Sequence, residues 1–214
     1  WSSDVCSSDL YNCYINFQFL PDSFLSEQYF AADGLLANAI TGFAPRPAQV
    51  EMSRAVSHAI EHDGCLLVEA GTGTGKTFAY LVPALASGKR AVISTGSKAL
   101  QDQLYERDLP RLLLAMQYSK PVAQLKGRSN YLCLYRLSLL EQEMTFLAAD
   151  VFADLPKART FKSRTTTGDV ADIPGLQEHA PILPFITSTN DNCLGRECPD
   201  YEDCYLVKAR KKAL

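Results

Sequence analysis

The sequence has no apolar run approaching the roughly 20 residues that a membrane-spanning helix needs, so a bilayer-embedded chain is not expected. It lacks a basic n-region ahead of an apolar stretch and has no initiator Met, so no secretory signal is read at its start. No internal repeat or low-complexity tract is visible, which sets aside solenoids and biased linkers. A strong net charge is also missing: the formal value is −3, so no global basicity announces nucleic acid. The cysteine count gives no even disulfide framework. Seven are present, at positions 6, 13, 65, 133, 193, 198 and 204, and three of them crowd together late in the chain. That pattern argues against a secreted disulfide scaffold and for a cytosolic protein.

What is present is an ordinary globular composition, 47% hydrophobic and 21% charged over 214 residues. This length suits one core, or one core with a smaller module. Charge is uneven along it. Up to His62 seven acids face two bases, and beyond it 17 acids face 19 bases, so any nucleic-acid surface is a local patch in the later part. The first ten residues, WSSDVCSSDL, resemble a translated sequencing adapter. The stretch through Phe30 has no clear period, so residues 1–30, with Trp1, Cys6 and Cys13, are set aside as an artefactual or disordered leader.

Pro45 and Pro47 lead into an amphipathic helix over Ala48–His62, with Val50, Met52, Ala55, Val56, Ala59 and Ile60 near helical spacing. Cys65–Glu69 reads as a buried strand, Gly75–Ala86 as a helix, Ala91–Ser94 as the next strand, Ser97–Glu106 as the next helix, and Val122–Leu125 as a possible third strand. This rhythm predicts an α/β fold with a parallel sheet. Cys65 is expected in its core. After Tyr131 the pattern changes. Leu134–Ala149 reads as helix and 160–168 as a polar loop. Residues 181–205, rich in Pro, Asn, Asp and Cys, read as a module held by something other than a large core.

Between the first strand and its helix lie Ala70, Gly71, Thr72, Gly73, Thr74, Gly75, Lys76 and Thr77. Glycines let successive backbone N–H groups turn inward on phosphate oxygens, and the helix start adds partial positive charge. Lys76 would sit on the β- and γ-phosphates and the Thr77 hydroxyl on Mg²⁺, the two residues read as catalytic. Ala70 stands where this loop pattern usually begins with Gly. Strand, loop, Gly-Lys-Thr and helix in order leave little room for a chance glycine-rich turn. Upstream, Phe43, Arg46 and Gln49 form F-x-x-R-x-x-Q. A Gln amide can pair with the adenine edge and a ring can stack on the base, although alone the pattern also fits a solvated helix start. Downstream of the second strand, Thr95, Lys98 and Gln101 suit a phosphate backbone, and Ser97 suits a helix cap.

Cys133, Cys193, Cys198 and Cys204 are spaced C-x59-C-x4-C-x5-C. Four thiolates can hold zinc or a 4Fe–4S cluster; one distant and three close cysteines favour the cluster over the paired spacing of zinc ribbons. Lys126, Arg128 and Tyr131, just ahead of the first cysteine, suit single-stranded DNA by charge and stacking, and equally a solvated loop with a core tyrosine.

Together VEAGTGTGKT (68–77), ISTGSKALQDQL (93–104), LKGRSNYLC (125–133) and TSTNDNCLGRECPDYEDC (187–204) resemble the XPD-like iron–sulfur helicases of superfamily 2, in the bacterial DinG/YoaA branch. The resemblance implies a RecA-like P-loop domain over 31–130, incomplete, with a mostly helical four-cysteine insertion over 131–205 and a return toward the motor over 206–214. It implies ATP, Mg²⁺ and a 4Fe–4S cluster on Cys133, Cys193, Cys198 and Cys204. The activity implied is 5′→3′ unwinding of single-stranded or forked DNA in damage tolerance and repair. The protein would be a cytoplasmic, nucleoid-associated monomer with a replication or repair partner and no membrane. Thr95, Lys98, Gln101, Arg128 and Tyr131 become candidate DNA contacts. No D-E-A-H box, second motor domain or arginine finger is present, so the chain is expected to bind nucleotide weakly without useful turnover. It reads as the N-terminal part of an incompletely predicted gene.

Overall fold

The computed structural model describes residues 25–142 and 149–213. The leader residues 1–24 and the end of the helical pattern at 143–148 lie outside the described residues. Two compact units are present: residues up to Ser94 with Asp102–Tyr118, and Thr95–Gln101 with Ser119–Leu214.

The first unit is built on α1 (Leu25–Phe30), α2 (Leu35–Ala39), α3 (Pro47–Glu61) and α4 (Lys76–Ala86). Pro47 opens α3, where its missing N–H goes unneeded and its fixed φ is already helical. The chain then enters α5 (Lys98–Asp102), a π-helical stretch (Gln103–Asp108) and α6 (Leu109–Ala115). Pro110 accounts for the widened turns. It cannot donate to the carbonyl four residues back and its ring crowds that carbonyl, and Leu109 N–H bonds Leu104 O, five residues back. The core of this unit gathers Phe30, Leu36, Leu81, Val82, Leu104, Leu109, Leu112 and Ala115.

The predicted helices at 48–62 and 75–86 agree with α3 and α4. The face α3 buries differs from the expected one. Gln49, Ser53 and Ser57, one turn apart, are its buried residues, and α3 lies along α4. The small Ser53 and Ser57 let two helix backbones approach closely, and the longer Gln49 is accommodated by its bond to Gly75 O. Met52, Val56 and Ile60 instead line an open groove of about 630 Å³ with Leu66, Val68 and Ala91.

The parallel sheet does not form among the described residues, which contain no strand. Cys65–Glu69, Ala91–Ser94 and Val122–Leu125 carry no ladder. A strand exists through a ladder of backbone hydrogen bonds to a neighbouring segment, and no such ladder is present here. Leu67 is 85% exposed and Val92 92% exposed, so side chains suited to a sheet core face outward. Cys65, expected in that core, is exposed as well.

The second unit contains α5, α7 (Leu134–Gln142), α8 (Ala149–Lys162), α9 (Leu183–Ile186) and α10 (Tyr205–Ala213). Short 3-10 turns lie at 128–130, 170–172 and 195–197. Helix α8 takes in the start of the stretch read as a polar loop, because Val151, Leu155, Ala158 and Phe161 recur on one face and are buried. Contrary to expectation, the cysteine region has a substantial core, joining Leu132, Leu137, Leu140, Ile173, Ile182, Ile186, Tyr205 and Leu206 to that face. Full burial of one such aliphatic side chain contributes about 1.5–3 kcal/mol. Gly168 lets the core close: its φ is +70°, and a Cβ there would lie 2.1 Å from Tyr205 Cγ. No described helix is long and apolar enough to cross a membrane.

Candidate functional site

The segment 70–77 is a turn running into α4, as its glycines require. Gly73 and Gly75 have φ of +76° and +81°, the left-handed region that residues with a Cβ avoid. Gly75 caps α4, and Lys76 is its first residue. The first N–H groups of a helix have no intrahelical acceptor, so they stand available to an anion. Lys76 Nζ folds back onto the carbonyls of Ala70 (2.5 Å) and Gly71 (2.7 Å). The Thr74 hydroxyl donates to Gly71 O at 3.0 Å.

Gln49 is buried, and its Nε2 donates to Gly75 O at 3.0 Å, tying α3 to the loop. Phe43 stands between Phe30 and Phe78, with ring centroids 6.3 and 6.1 Å away. Arg46 is the exposed N-cap of α3. The structure thus brings Gln49 to the phosphate loop and places Phe43 in a row of aromatic rings.

One neighbour of the loop escaped sequence reasoning. The Tyr80 hydroxyl hydrogen-bonds the Thr77 side chain. Burial pushes the Tyr80 phenol above its ordinary value, the Thr77 hydrogen bond works against that rise, and the nearby Asp108 carboxylate adds to it. Asp108 is itself buried and accepts from Arg107 Nε at 2.9 Å and Gln103 Nε2 at 3.3 Å. Only the i,i+3 spacing of Thr77 and Tyr80 on one helix face hinted at this link.

In the second unit, Thr95 is half-buried, with its hydroxyl 3.3 Å from Ser97 O, and Lys98 is exposed. The Ser97 hydroxyl accepts from Leu100 N at 3.2 Å, the cap that the sequence suggested. Gln101 Nε2 donates to Leu125 O at 3.0 Å. Arg128 and Tyr131 turn inward. Arg128 Nη1 donates to Cys193 Sγ at 2.7 Å, and its Nε donates to Asn190 Oδ1 at 3.3 Å. Tyr131 is buried, and its hydroxyl accepts from Lys126 N at 2.9 Å. Lys126 is buried too and pairs with Asp169.

Cys133, Cys193, Cys198 and Cys204 are all free and half-buried. Burial pushes the Cys133 thiol up, a backbone hydrogen bond from Arg136 opposes this, and Cys198, Cys204 and Cys193 each add to the rise. Burial likewise raises Cys198, a backbone hydrogen bond from Asp200 lowers it, and Asp200, Cys204 and Cys193 raise it. Cys133 is therefore within electrostatic reach of the other three sulfurs, although it stands far ahead of them in sequence. Three of them accept N–H hydrogen bonds: Cys133 and Cys198 from backbone, and Cys193 from Arg128 and, at 3.4 Å, from Gly195 N. Such donors stabilise thiolate, the form that binds metals. Among the described residues, no group of three or more His, Cys, Asp or Glu side chains is arranged to hold a metal ion.

The DEAD/DEAH box helicase family matches residues 47–129, which include Gln49, the phosphate loop, Lys98 and Gln101. The chain is 54% identical over 185 residues to the ATP-dependent DNA helicase YoaA of Escherichia coli K12, covering 86% of this chain and 29% of that protein. It is 50% identical over 185 residues to YoaA of Haemophilus influenzae, with the same shares covered. It is 37% identical over 201 residues to the ATP-dependent helicase DinG of Mycobacterium tuberculosis H37Rv, covering 83% of this chain and 30% of that protein. The chain spans under a third of the length of these relatives. It belongs to the DEAD/DEAH box helicases, in the branch that holds YoaA and DinG.

Proposed function

We propose that this chain is the nucleotide-binding front of an ATP-dependent DNA helicase that couples ATP hydrolysis to 5′→3′ unwinding in DNA repair and damage tolerance. The observation that carries this reading is the glycine turn at the head of α4, with Lys76 as the first helical residue and Gln49 on the loop carbonyl. ATP phosphates would take over Lys76 Nζ from the Ala70 and Gly71 carbonyls, and the Thr77 hydroxyl would hold Mg²⁺ with Tyr80 behind it. Gln49 and Phe43 lie on the same unit for the adenine, with Arg46 at the start of α3. The two YoaA relatives are ATP-dependent DNA helicases by name, which supports DNA as the substrate. Strand contact is assigned first to Thr95 and to the exposed Lys98. Gln101 and Arg128 would have to release Leu125 O and Cys193 Sγ to join them, and Tyr131 would have to leave its core. Water activation and transition-state charge would be supplied by parts of the longer protein.

The four thiols are proposed to hold a 4Fe–4S cluster, which would supply a rigid, covalently anchored module beside the DNA path. Zinc at about 2.3 Å from each sulfur needs all four within roughly 3.8 Å of one another. One distant and three close cysteines suit a cluster better than the paired cysteines of zinc ribbons. Arg128 and Gly195 would then donate to a ligating sulfur.

Two measurements test these readings. Removing the Lys76 charge with Lys76→Ala should weaken binding of ATP to the chain by about 10–100-fold, the worth of a charged hydrogen-bonded contact. Equal affinity would refute the cradle. Protein purified without oxygen should be brown and carry iron with acid-labile sulfide; a colourless protein with stoichiometric zinc would replace the cluster by a zinc site.

A further inference from the structure

We infer that the buried Lys126–Asp169 ion pair is a positioning device for Cys133, holding the first thiol in place before any metal arrives. The inference rests on the reading of Cys133 as a ligand and goes beyond it by naming what sets that thiol's place.

Lys126 is the most conspicuous cation of the segment before Cys133, and by sequence it suited a solvated nucleic-acid contact. Its ammonium instead lies 2.5 Å from Asp169 Oδ2, with side chains only 6% and 12% exposed. A buried pair of this kind costs desolvation on both sides and is a poor stabiliser compared with an apolar pair of equal size. It is geometrically demanding, however: each charge must find the other, so the pair fixes register where apolar contacts would slide.

What it fixes is legible in the surrounding hydrogen bonds. Asp169 is set from its own side by Ala171 N, which donates to Oδ1 at 3.0 Å. Lys126 is set by Tyr131, whose hydroxyl accepts from Lys126 N. Tyr131 and Asp169 form the isolated antiparallel bridge of the described residues. The next residue along, Leu132, donates its N–H to Gly168 O at 2.8 Å, and Cys133 donates its own to Ile186 O at 2.7 Å. Lys126, Tyr131, Leu132 and Cys133 are thus bonded in succession to the 168–169 turn and the end of α9. On the other side, Gln101 holds the carbonyl of Leu125, the residue before Lys126. Cys133 is more than 50 residues from its fellow cysteines in sequence, so nothing local keeps it near them. The ion pair closes the loop from 126 to 169 and supplies that constraint.

The test reads thiol accessibility in the full chain, stripped of metal and kept reduced. Alkylation by iodoacetamide is followed at each cysteine by mass spectrometry in wild type and Asp169→Asn. Loss of the pair should speed alkylation of Cys133 by about tenfold or more through local opening, while Cys198 stays within about twofold. A parallel rise at all four thiols would make the pair a general fold stabiliser, and unchanged Cys133 would make it irrelevant to the thiol. Either result overturns the inference. Because Asp169→Asn takes the carboxylate away from a buried ammonium, Lys126→Met with Asp169→Asn is measured alongside. That variant buries no charge, and it should still show the selective rise at Cys133. Iron and sulfide content of the untreated wild type is measured separately. Absence of iron with selective Cys133 opening would sink the cluster reading and leave the positioning role standing.

Discussion

Gly168 offers the sharpest test of the packing that brings the cysteine region together. Its φ of +70° costs a residue with a Cβ about 1–2 kcal/mol. A methyl group there would also lie 2.1 Å from Tyr205 Cγ and 2.5 Å from Tyr205 Cβ, far inside contact distance. Tyr205 is buried against the shared core and directly follows Cys204, so it cannot swing aside freely. Overpacking of this kind adds about 1–3 kcal/mol, for a combined loss of roughly 2–5 kcal/mol in Gly168→Ala. With a urea slope of about 2 kcal/mol per molar, the midpoint of the metal-free chain should fall by roughly 1–2.5 M. Circular dichroism during urea unfolding measures it. Tyr205→Ala removes the ring and keeps its Cβ, so the double variant should lose less than the two single losses added together. A midpoint shift below about 0.3 M for Gly168→Ala would refute the claim that Gly168 is required by this contact.

Gln49→Ala removes the side-chain bond to the Gly75 carbonyl, which keeps its Phe78 and Ala79 N–H donors, and removes the amide offered to adenine. ATP affinity should fall about 3- to 10-fold, and the preference for ATP over GTP should shrink, as read by competition binding. A second prediction follows from the thiols. Cys133 and Cys198 are raised above the usual thiol value of 9.0, so the folded metal-free chain holds their protons more tightly than the unfolded chain does. Their contribution to stability is complete below pH about 9 and is lost as pH rises through the folded values. Urea midpoints should therefore decline as pH rises above about 9, and Cys133→Ser should remove part of that decline. Metal capture needs thiolate and releases protons, so it should weaken as pH falls.

The turn at the head of α4 was readable because its cause is local: glycines at set offsets, with Gly73 and Gly75 at positive φ, and a lysine opening a helix. Helices α3 and α4 were readable for the same reason. The sheet was not, since extended segments such as Ala91–Ser94 become strands only when a neighbour pairs with them. The contact face of α3 was misjudged because hydrophobic period points to Met52 and Val56, whereas close helix packing selects Gln49, Ser53 and Ser57. The four cysteines announced themselves by residue type. Their support did not: Lys126 and Arg128 carry charges that suggest solvent or DNA, and only the fold reveals Asp169 and Cys193 as their partners. Asp169 belongs to no recognisable motif, and its role depends on a contact 43 residues distant.

Strand displacement by the full-length protein, with ATP and with Lys76→Ala, tests the central claim most directly. A motor driven from this loop should unwind DNA only when ATP is present and should lose on the order of 100-fold or more of that rate when Lys76 is removed. Unwinding that persists unchanged in the variant would mean that residues 70–77 do not power the protein.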